Sequence, residues 1–501
     1  MDFKAAPWRR LHGCYEASPY AVSPAPEYAN SEVLLSALYR ALGLAGAVER
    51  EVGQNGRDLE KRIQAQAQAL RPKEVAGAAL GANDFHALVH QVLDSPKRPG
   101  QGRKAYLQLV PVVPEGAVFA GAARQRGNSW PAGDLIRRLV WLGQHDPEAS
   151  EASWSRLFDA LDVGDGDDVF ARFLAAELGA WAPGRPKDRR PLARDDLPRQ
   201  WSAEELAGAA FPAGQFVKDI EAVAAAKSLM TRRQWTSLLE AILRIGCVAH
   251  LQWICLVNAR IRKALDEAIE GGGPDGVEEA RAAIYPRQVA FLSYGAPAIG
   301  RIEDVTSGYL QARLRINALL LALEDGGAPY TGGMSDAAGI AELCEHVRRH
   351  RAAIEHAGYH QVIDELEDRE RNVTGCKAGV GRNMMEFFRH ALYKRLPANQ
   401  MDRGFDQSYF LDKRTDKSPW FCALGPVAVL ALVYCCLHGL KGPRSVQRLA
   451  EHLAAFGIDV NHKSIAQNDL GRQLRMLGLV LDSPDAESGM LLVPPFAVQE
   501  S

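Results

Sequence analysis

Along most of this chain apolar residues recur at three- and four-residue spacing, the signature of helices that bury one face. The spacing predicts helices over 31–52, 57–70, 134–142, 154–161, 169–181, 213–229, 232–245, 248–270, 277–284, 302–323 and 335–356. Gly246 marks a kink between two of them, and Gly271-Gly272-Gly273-Pro274, Gly326-Gly327 and Gly332-Gly333 are stops. Only 105–113 (AYLQLVPVV) alternates as a half-buried strand does. The fold class is therefore mainly α, a multi-domain helical protein with a small mixed α+β N-terminal region.

The last eighty or so residues carry a different pattern. Pro426 stands at a first helical position after Gly425, and an apolar run follows to Leu437, closed by His438-Gly439. Ser445 is a good N-cap for a second helix, whose Val446, Leu449, Ala450 and Leu453 share a face before Gly457. Ser464 to Gln467 has the capping-box pattern for a third helix ending at Gly478, with Ile465, Leu470, Leu474 and Leu477 as its inner stripe. Two short apolar strands, 479–481 and 490–493, then flank a turn. Three helices and a hairpin in this order resemble the winged-helix superfamily, over 419–496 alone. The resemblance implies that helix three enters a DNA major groove, where Lys463, Gln467, Asn468, Arg472, Gln473 and Arg475 would supply the contacts. The wing turn departs from that pattern. It carries Asp482, Asp485 and Glu487 and no cation, whereas a wing lying on phosphates is basic, so a protein partner is the alternative.

Charge changes the picture only locally. A formal net charge of −2 gives no overall polyanion signature, yet 369–417 holds eleven Lys or Arg against six Asp or Glu. Here Arg382, Arg389, Lys394, Arg395, Arg403, Lys413 and Arg414 are interleaved with Phe387, Phe388, Tyr393, Phe405, Tyr409 and Phe410, as in surfaces where cations meet phosphate and rings stack on bases. The alternative for the phenylalanines is the buried face of a helix over 383–396. Lys377 to Arg382 (KAGVGR) is a glycine-rich, basic phosphate-cradle candidate that matches no Walker motif.

The densest metal-like cluster is Cys344, His346, His350, His356, His360 and Asp364, whose histidines form two i, i+4 pairs that converge only if the chain turns near Gly358. It carries the enzyme alternative, a metal-dependent hydrolase or nuclease. Asp84, His86 and His90 lack an H-E-x-x-H, and Asp162, Asp165, Asp167 and Asp168 read as a helix cap for 169–181 rather than a calcium ladder. No P-loop, dinucleotide fingerprint, nucleophile elbow or kinase motif is present, and Asp58 to Lys61 lacks the strands a nuclease motif needs. No catalytic residue and no cofactor are expected. The eight cysteines show no C-x-x-C pair and read as reduced thiols. Residues 1–28 lack the apolar run of a signal peptide, and the uncharged stretch 418–440 is interrupted by Gly425-Pro426, so a cytoplasmic protein without membrane contact is expected.

These patterns divide the chain into an N-terminal domain (1–183), a charged, proline-rich linker (184–201), a helical bundle or assembly domain (202–368), the basic aromatic segment (369–417) and the winged-helix-like module (418–501). The functional expectation is a non-catalytic DNA-binding and assembly subunit of a multi-protein DNA-handling system, by analogy one of phage defence or mobile-element control, with DNA and other protein subunits as partners. The alternatives are a protein-binding scaffold and the metal enzyme.

Overall fold

The computed structural model describes residues 3–22, 31–45, 65, 73–75, 78–80, 110–118, 132–181, 188–192, 196–395, 406–415, 417–440, 444–482 and 490–496. The helix at 57–70, the set Asp84, His86 and His90, the Asp58–Lys61 spacing, Arg403, Phe405 and the wing-turn residues Asp485 and Glu487 lie outside the described residues, apart from position 65. Seventeen α-helices are found among the described residues, so the protein is mainly helical.

The helices are α1 (Gly13–Glu16), α2 (Ser31–Leu42), α3 (Ala132–Leu142), α4 (Pro147–Leu161), α5 (Val169–Trp181), α6 (Pro212–Ala225), α7 (Arg232–Ile269), α8 (Val277–Ile284), α9 (Ile299–Asp325), α10 (Ala337–Arg349), α11 (Arg351–His356), α12 (Tyr359–Arg369), α13 (Arg371–Thr374), α14 (Gly379–Leu392), α15 (Pro426–Leu437), α16 (Val446–Ala455) and α17 (Asp469–Met476). The strands are all short: β1 (Lys73–Val75), β2 (Ala78–Leu80), β3 (Leu292–Ser293), β4 (Leu411–Asp412), β5 (Phe421–Cys422), β6 (Ile458–Asp459), β7 (Val480–Asp482) and β8 (Met490–Leu492). At the described end of 105–113, residues 110–113 form no strand and lead into a 3₁₀ turn, Pro114–Val118, because the Val112 carbonyl is turned to Arg232 Nε (2.8 Å) and the Tyr39 hydroxyl (3.3 Å).

The 38-residue helix α7 is the axis of the fold. It begins at a capping box, in which Thr231 and Gln234 satisfy each other's backbone amides, and ends before Gly271 and Gly273, both at positive φ. It is apolar on all sides, and α2, α3, α6, α8, α9, α10, α14 and α15 pack around it. Gly246 does not break the helix in two. The helix is unbroken through it, and glycine is required there because the Phe216 ring of α6 lies against its Cα, where a Cβ would come within 2.0 Å of Cδ2.

Elements from every segment of the sequence share one buried cluster, from Phe3 to Leu492. The described parts of the charged, proline-rich stretch are laid onto the N-terminal helices: Arg190 N donates to Leu42 O, the Trp154 indole to Arg190 O and the Trp141 indole to Pro198 O. The uncharged stretch 418–440 contains the 12-residue α15, wedged between α6, α7 and α16. At about 1.5 Å per residue it is far too short for a hydrocarbon core of about 30 Å. Among the described residues α7 is the one helix long and apolar enough to cross a membrane, and 94% of its apolar window is buried inside the fold.

The third helix of the C-terminal module is broken in two. A 3₁₀ turn, His462–Gln467, precedes α17, and the residue that caps α17 is Asn468, which accepts from Gly471 N at 3.1 Å. Ser464 makes no capping box, since its hydroxyl is bound to Asn461 O. The strands β7 and β8 pair antiparallel, with Leu481 opposite Leu491, and an isolated antiparallel bridge joins Leu491 to Ser445, between α15 and α16.

Candidate nucleic-acid interface

One buried arginine of the axial helix ties together two stretches of the basic aromatic segment. Arg244 of α7 donates to the carbonyls of Ala391 (2.6 Å) and Tyr393 (2.7 Å), to the Asp406 carboxylate (2.9 Å) and to the Ser408 hydroxyl (3.0 Å). Its five donors in a fixed fork bind the two sides of the chain around 396–405 at once. The segment 406–414 then runs onto α15. Gly425 N donates to Tyr409 O and Val427 N to Gln407 O, and this approach requires glycine, since a Cβ at position 425 would stand 2.1 Å from Gln407 O. Phe410 and Leu411 are buried, whereas Lys413 and Arg414 reach outward. The phenylalanines of α14, Phe387 and Phe388, are fully buried, as the helix-face alternative predicts.

A miniature sheet joins this segment to helix three. β4 pairs with β5 antiparallel, β3 pairs with β6 parallel, a bridge from Tyr294 to Cys422 joins the two pairs, and one from Tyr393 to Leu411 extends the ladder beyond β4. Gln473 of α17 donates to Leu424 O at 3.1 Å, just beyond β5. Tyr294 is in electrostatic range of Asp469 and Arg472 of α17 and of Tyr409 in the basic aromatic segment. Burial first, then Asp469 and Cys422, hold its phenol above the ordinary range against Arg472.

The sequence-predicted contact residues take different roles within this region. Lys463, Gln467, Arg472 and Arg475 are exposed. Arg472 is paired with Asp469 one turn back, and Arg475 donates to Ala466 O (2.9 Å) and reaches Met490 Sδ at 3.7 Å. Asn468 Oδ1 caps α17 and Gln473 Nε2 donates to Leu424 O, so one half of each amide is already engaged within the fold. Lys394 pairs with Asp412 (3.0 Å) and covers the Tyr409 ring; Lys413 lies 4.9 Å over Trp420 and Arg414 5.7 Å over Phe421. Arg389 covers Tyr393 at 5.3 Å and pairs with Glu386 (2.6 Å), while Tyr393 stacks on Trp420 at 3.8 Å. Arg382, exposed two turns before Arg389 on α14, shares its helix face. Arg395 is the exception: it is buried against Glu32 of α2 and belongs to the interior. Trp420, Tyr294 and Arg244 carry no sequence signal, because what places them is strand pairing and a contact across 162 residues.

Of the metal candidates, His346 and His350 stay together, their ring centroids 4.5 Å apart. Helix 335–356 is broken at His350 and again at Gly358, where φ is +68°, which divides the histidines among α10, α11 and α12. His346 is bound to Ala328 O (2.9 Å), and the Cys344 thiol faces Ala264 O of α7, with its pKa raised by burial to about 12. Among the described residues no group of three or more His, Cys, Asp or Glu is placed to hold a metal. The KAGVGR candidate has lost its first amides, since Lys377 N and Ala378 N both donate to Asn372 O. In the aspartate run, Asp168 caps α5 through Ala171 N, as predicted, and Asp167 is buried against Arg232 (2.9 Å) and Lys227 (3.0 Å). All eight cysteines are free. No family model, curated protein or solved structure matches this chain.

Proposed function

We propose that residues 419–496 are a winged helix and that the chain engages duplex DNA through helix three together with the basic aromatic segment. Support for the fold comes from the order of α15, α16, α17 and the β7–β8 hairpin, and from the Ser445–Leu491 bridge, which ties the connection between the first two helices to the hairpin. The observation that carries the DNA reading is the joining of two cation groups, distant in sequence, into one region. Lys463, Arg472 and Arg475 lie on and just before α17, which Gln473 ties to Leu424 O, and Lys394, Lys413 and Arg414 flank β4, which pairs with β5 just before Leu424. Phosphates would displace the local partners Asp469 and Asp412, and the cations then neutralise the backbone with salt-dependent affinity. With the Asn468 and Gln473 amides each half engaged within the fold, recognition rests on Arg472 and Arg475 and on phosphate contacts, which favours weak sequence preference. The helical body around α7 serves as the platform for assembly.

Duplex binding by the full chain tests the reading: Arg472→Ala with Arg475→Ala weakens it by about 1–3 kcal/mol for each arginine that reads a base edge. Absence of binding at low salt rules it out. A protein partner is the second reading, favoured by Met476, Leu481 and Leu491, which are 79%, 64% and 38% exposed, the two leucines facing each other across the hairpin. Under that reading Leu481→Ser and Leu491→Ser abolish assembly and leave DNA affinity unchanged.

A further inference from the structure

Behind the basic segment lies a half-enclosed cavity of about 80 Å³, lined by Glu32 of α2, by Arg233, Ser237 and Glu240 of α7, and by Arg395, Asp406 and Ser408. Two of its carboxylates already have cations: Glu32 is paired with Arg395, and Asp406 with Arg244 at 2.9 Å. Arg233 and Glu240 are left over. They stand at i, i+7 on one face of α7 with Ser237 between them, and among the described residues Arg233 Nη1 and Glu240 Oε1 are buried with no hydrogen-bond partner. Glu240 as a whole is only 6% exposed, and its Oε1 is shut off from bulk solvent. A buried donor and a buried carboxyl oxygen left open cost stability unless something fills the space between them.

We propose that this cavity binds a small organic acid, whose carboxylate accepts hydrogen bonds from Arg233 Nη1 and from the protonated carboxyl of Glu240. Charge decides for an anion. The guanidinium of Arg233 is permanently positive, while burial, and after it the neighbouring Glu32, push the Glu240 carboxyl up to about 8, against the pull of Arg233 and Arg244. With the other two pairs neutral, one positive charge remains at neutral pH, and a monoanion balances it. The space suits a two- or three-carbon acid. The charged groups facing Glu240 are Glu32 from α2, Arg233 and Arg244 from its own helix, and Asp406 and Arg395 from the segment that closes the cavity.

Acetate, a fixed monoanion above pH 6, is the probe, titrated by calorimetry into the full chain at pH 6.5 and pH 9. Saturable binding is expected at pH 6.5 and is weaker by about tenfold at pH 9, where Glu240 loses the proton it donates. Glu240→Gln keeps a neutral donor and makes binding independent of pH, while Arg233→Gln abolishes it at both. Three results overturn the proposal: saturable guanidinium binding in place of acetate, which makes this a cation site; no saturable binding of either, which leaves water as the occupant; or acetate binding unchanged in Arg233→Gln. Should Arg233→Gln fail to fold, the pH profiles of wild type and Glu240→Gln still decide.

Discussion

Arg232 and Arg244 in the axial helix and Arg472 and Arg475 in helix three are the same side chain put to opposite uses. The first two are buried, and each carries its charge against one carboxylate while its remaining donors satisfy carbonyls from distant chain segments, Arg232 those of Val112 and Leu161, Arg244 those of Ala391 and Tyr393. The second pair is exposed: Arg472 is paired with Asp469, three residues away, and Arg475 donates to Ala466 O, nine residues away. An exposed ion pair of this sort contributes about 0–1 kcal/mol, so an incoming phosphate can replace it at little cost. A buried arginine with every donor used cannot be lent to a ligand. Burial and the reach of their hydrogen bonds, not residue type, separate the arginines that build the fold from those left at the surface.

The largest effect that sharpens this contrast is expected at Arg244. Its replacement by Ala leaves Asp406 buried without a cation and should destabilise the protein by about 3–5 kcal/mol in chemical denaturation, with new proteolysis between 391 and 408. The double change Arg244→Met with Asp406→Leu should recover part of that loss, because no uncompensated charge remains. Glu240 gives a pH-dependent counterpart. Its folded pKa of about 8 lies above the unfolded value of about 4.3, so the folded state holds the proton longer, and the fold loses stability as pH rises between those values. Glu240→Gln should accordingly raise the urea midpoint more at pH 8 than at pH 4. Asp167 has the opposite sign. Burial raises its pKa, but the Gly164 amide, Arg232 and Lys227 outweigh this and hold it below the ordinary range. Its contribution is present above about pH 4 and is lost as pH falls through the lowered value, which an Asp167→Asn comparison in acid unfolding reads directly.

Gly246→Ala should cost about 1–3 kcal/mol through its clash with Phe216, although alanine favours helix by about 1 kcal/mol, and Phe216→Leu in the same chain should relieve it. At the small end, Arg472→Ala and Arg475→Ala should shift stability by no more than about 0.5 kcal/mol, since neither side chain is buried. A loss comparable to that of Arg244→Ala would erase the distinction between the two arginine groups.

What is legible in the sequence follows the same division between local and distant contacts. Helix 277–284 matches α8 residue for residue, and the Gly425-Pro426 start, the buried stripe Leu470 and Leu474 and the terminal hairpin are all found, because caps and periodicity are local signals. Gly246 reads as a kink because only the approach of Phe216, thirty residues away in sequence, explains it. Ser464 has the pattern of a helix start, yet the true cap of helix three is Asn468, and the best candidate for adenine contact thereby has its Oδ1 engaged. Arg395 carries the same local signal as Lys394 beside it, and only the arrival of Glu32 from the other end of the chain buries it. The exposed patch of Met476, Leu481 and Leu491 gives no sequence signal at all, since apolar residues of a short helix and hairpin read as core.

The joint surface of helix three and the basic aromatic segment is tested most directly by the salt dependence of duplex affinity, measured on the full chain and on Arg472→Ala, Lys413→Ala and their combination. Both single changes should lower the slope of log affinity against log salt by about one unit, and the combination by about two, because each cation releases its own counterion from one duplex. A slope that responds to Arg472 and ignores Lys413, or affinity that shows no salt dependence, would contradict a surface built from both cation groups.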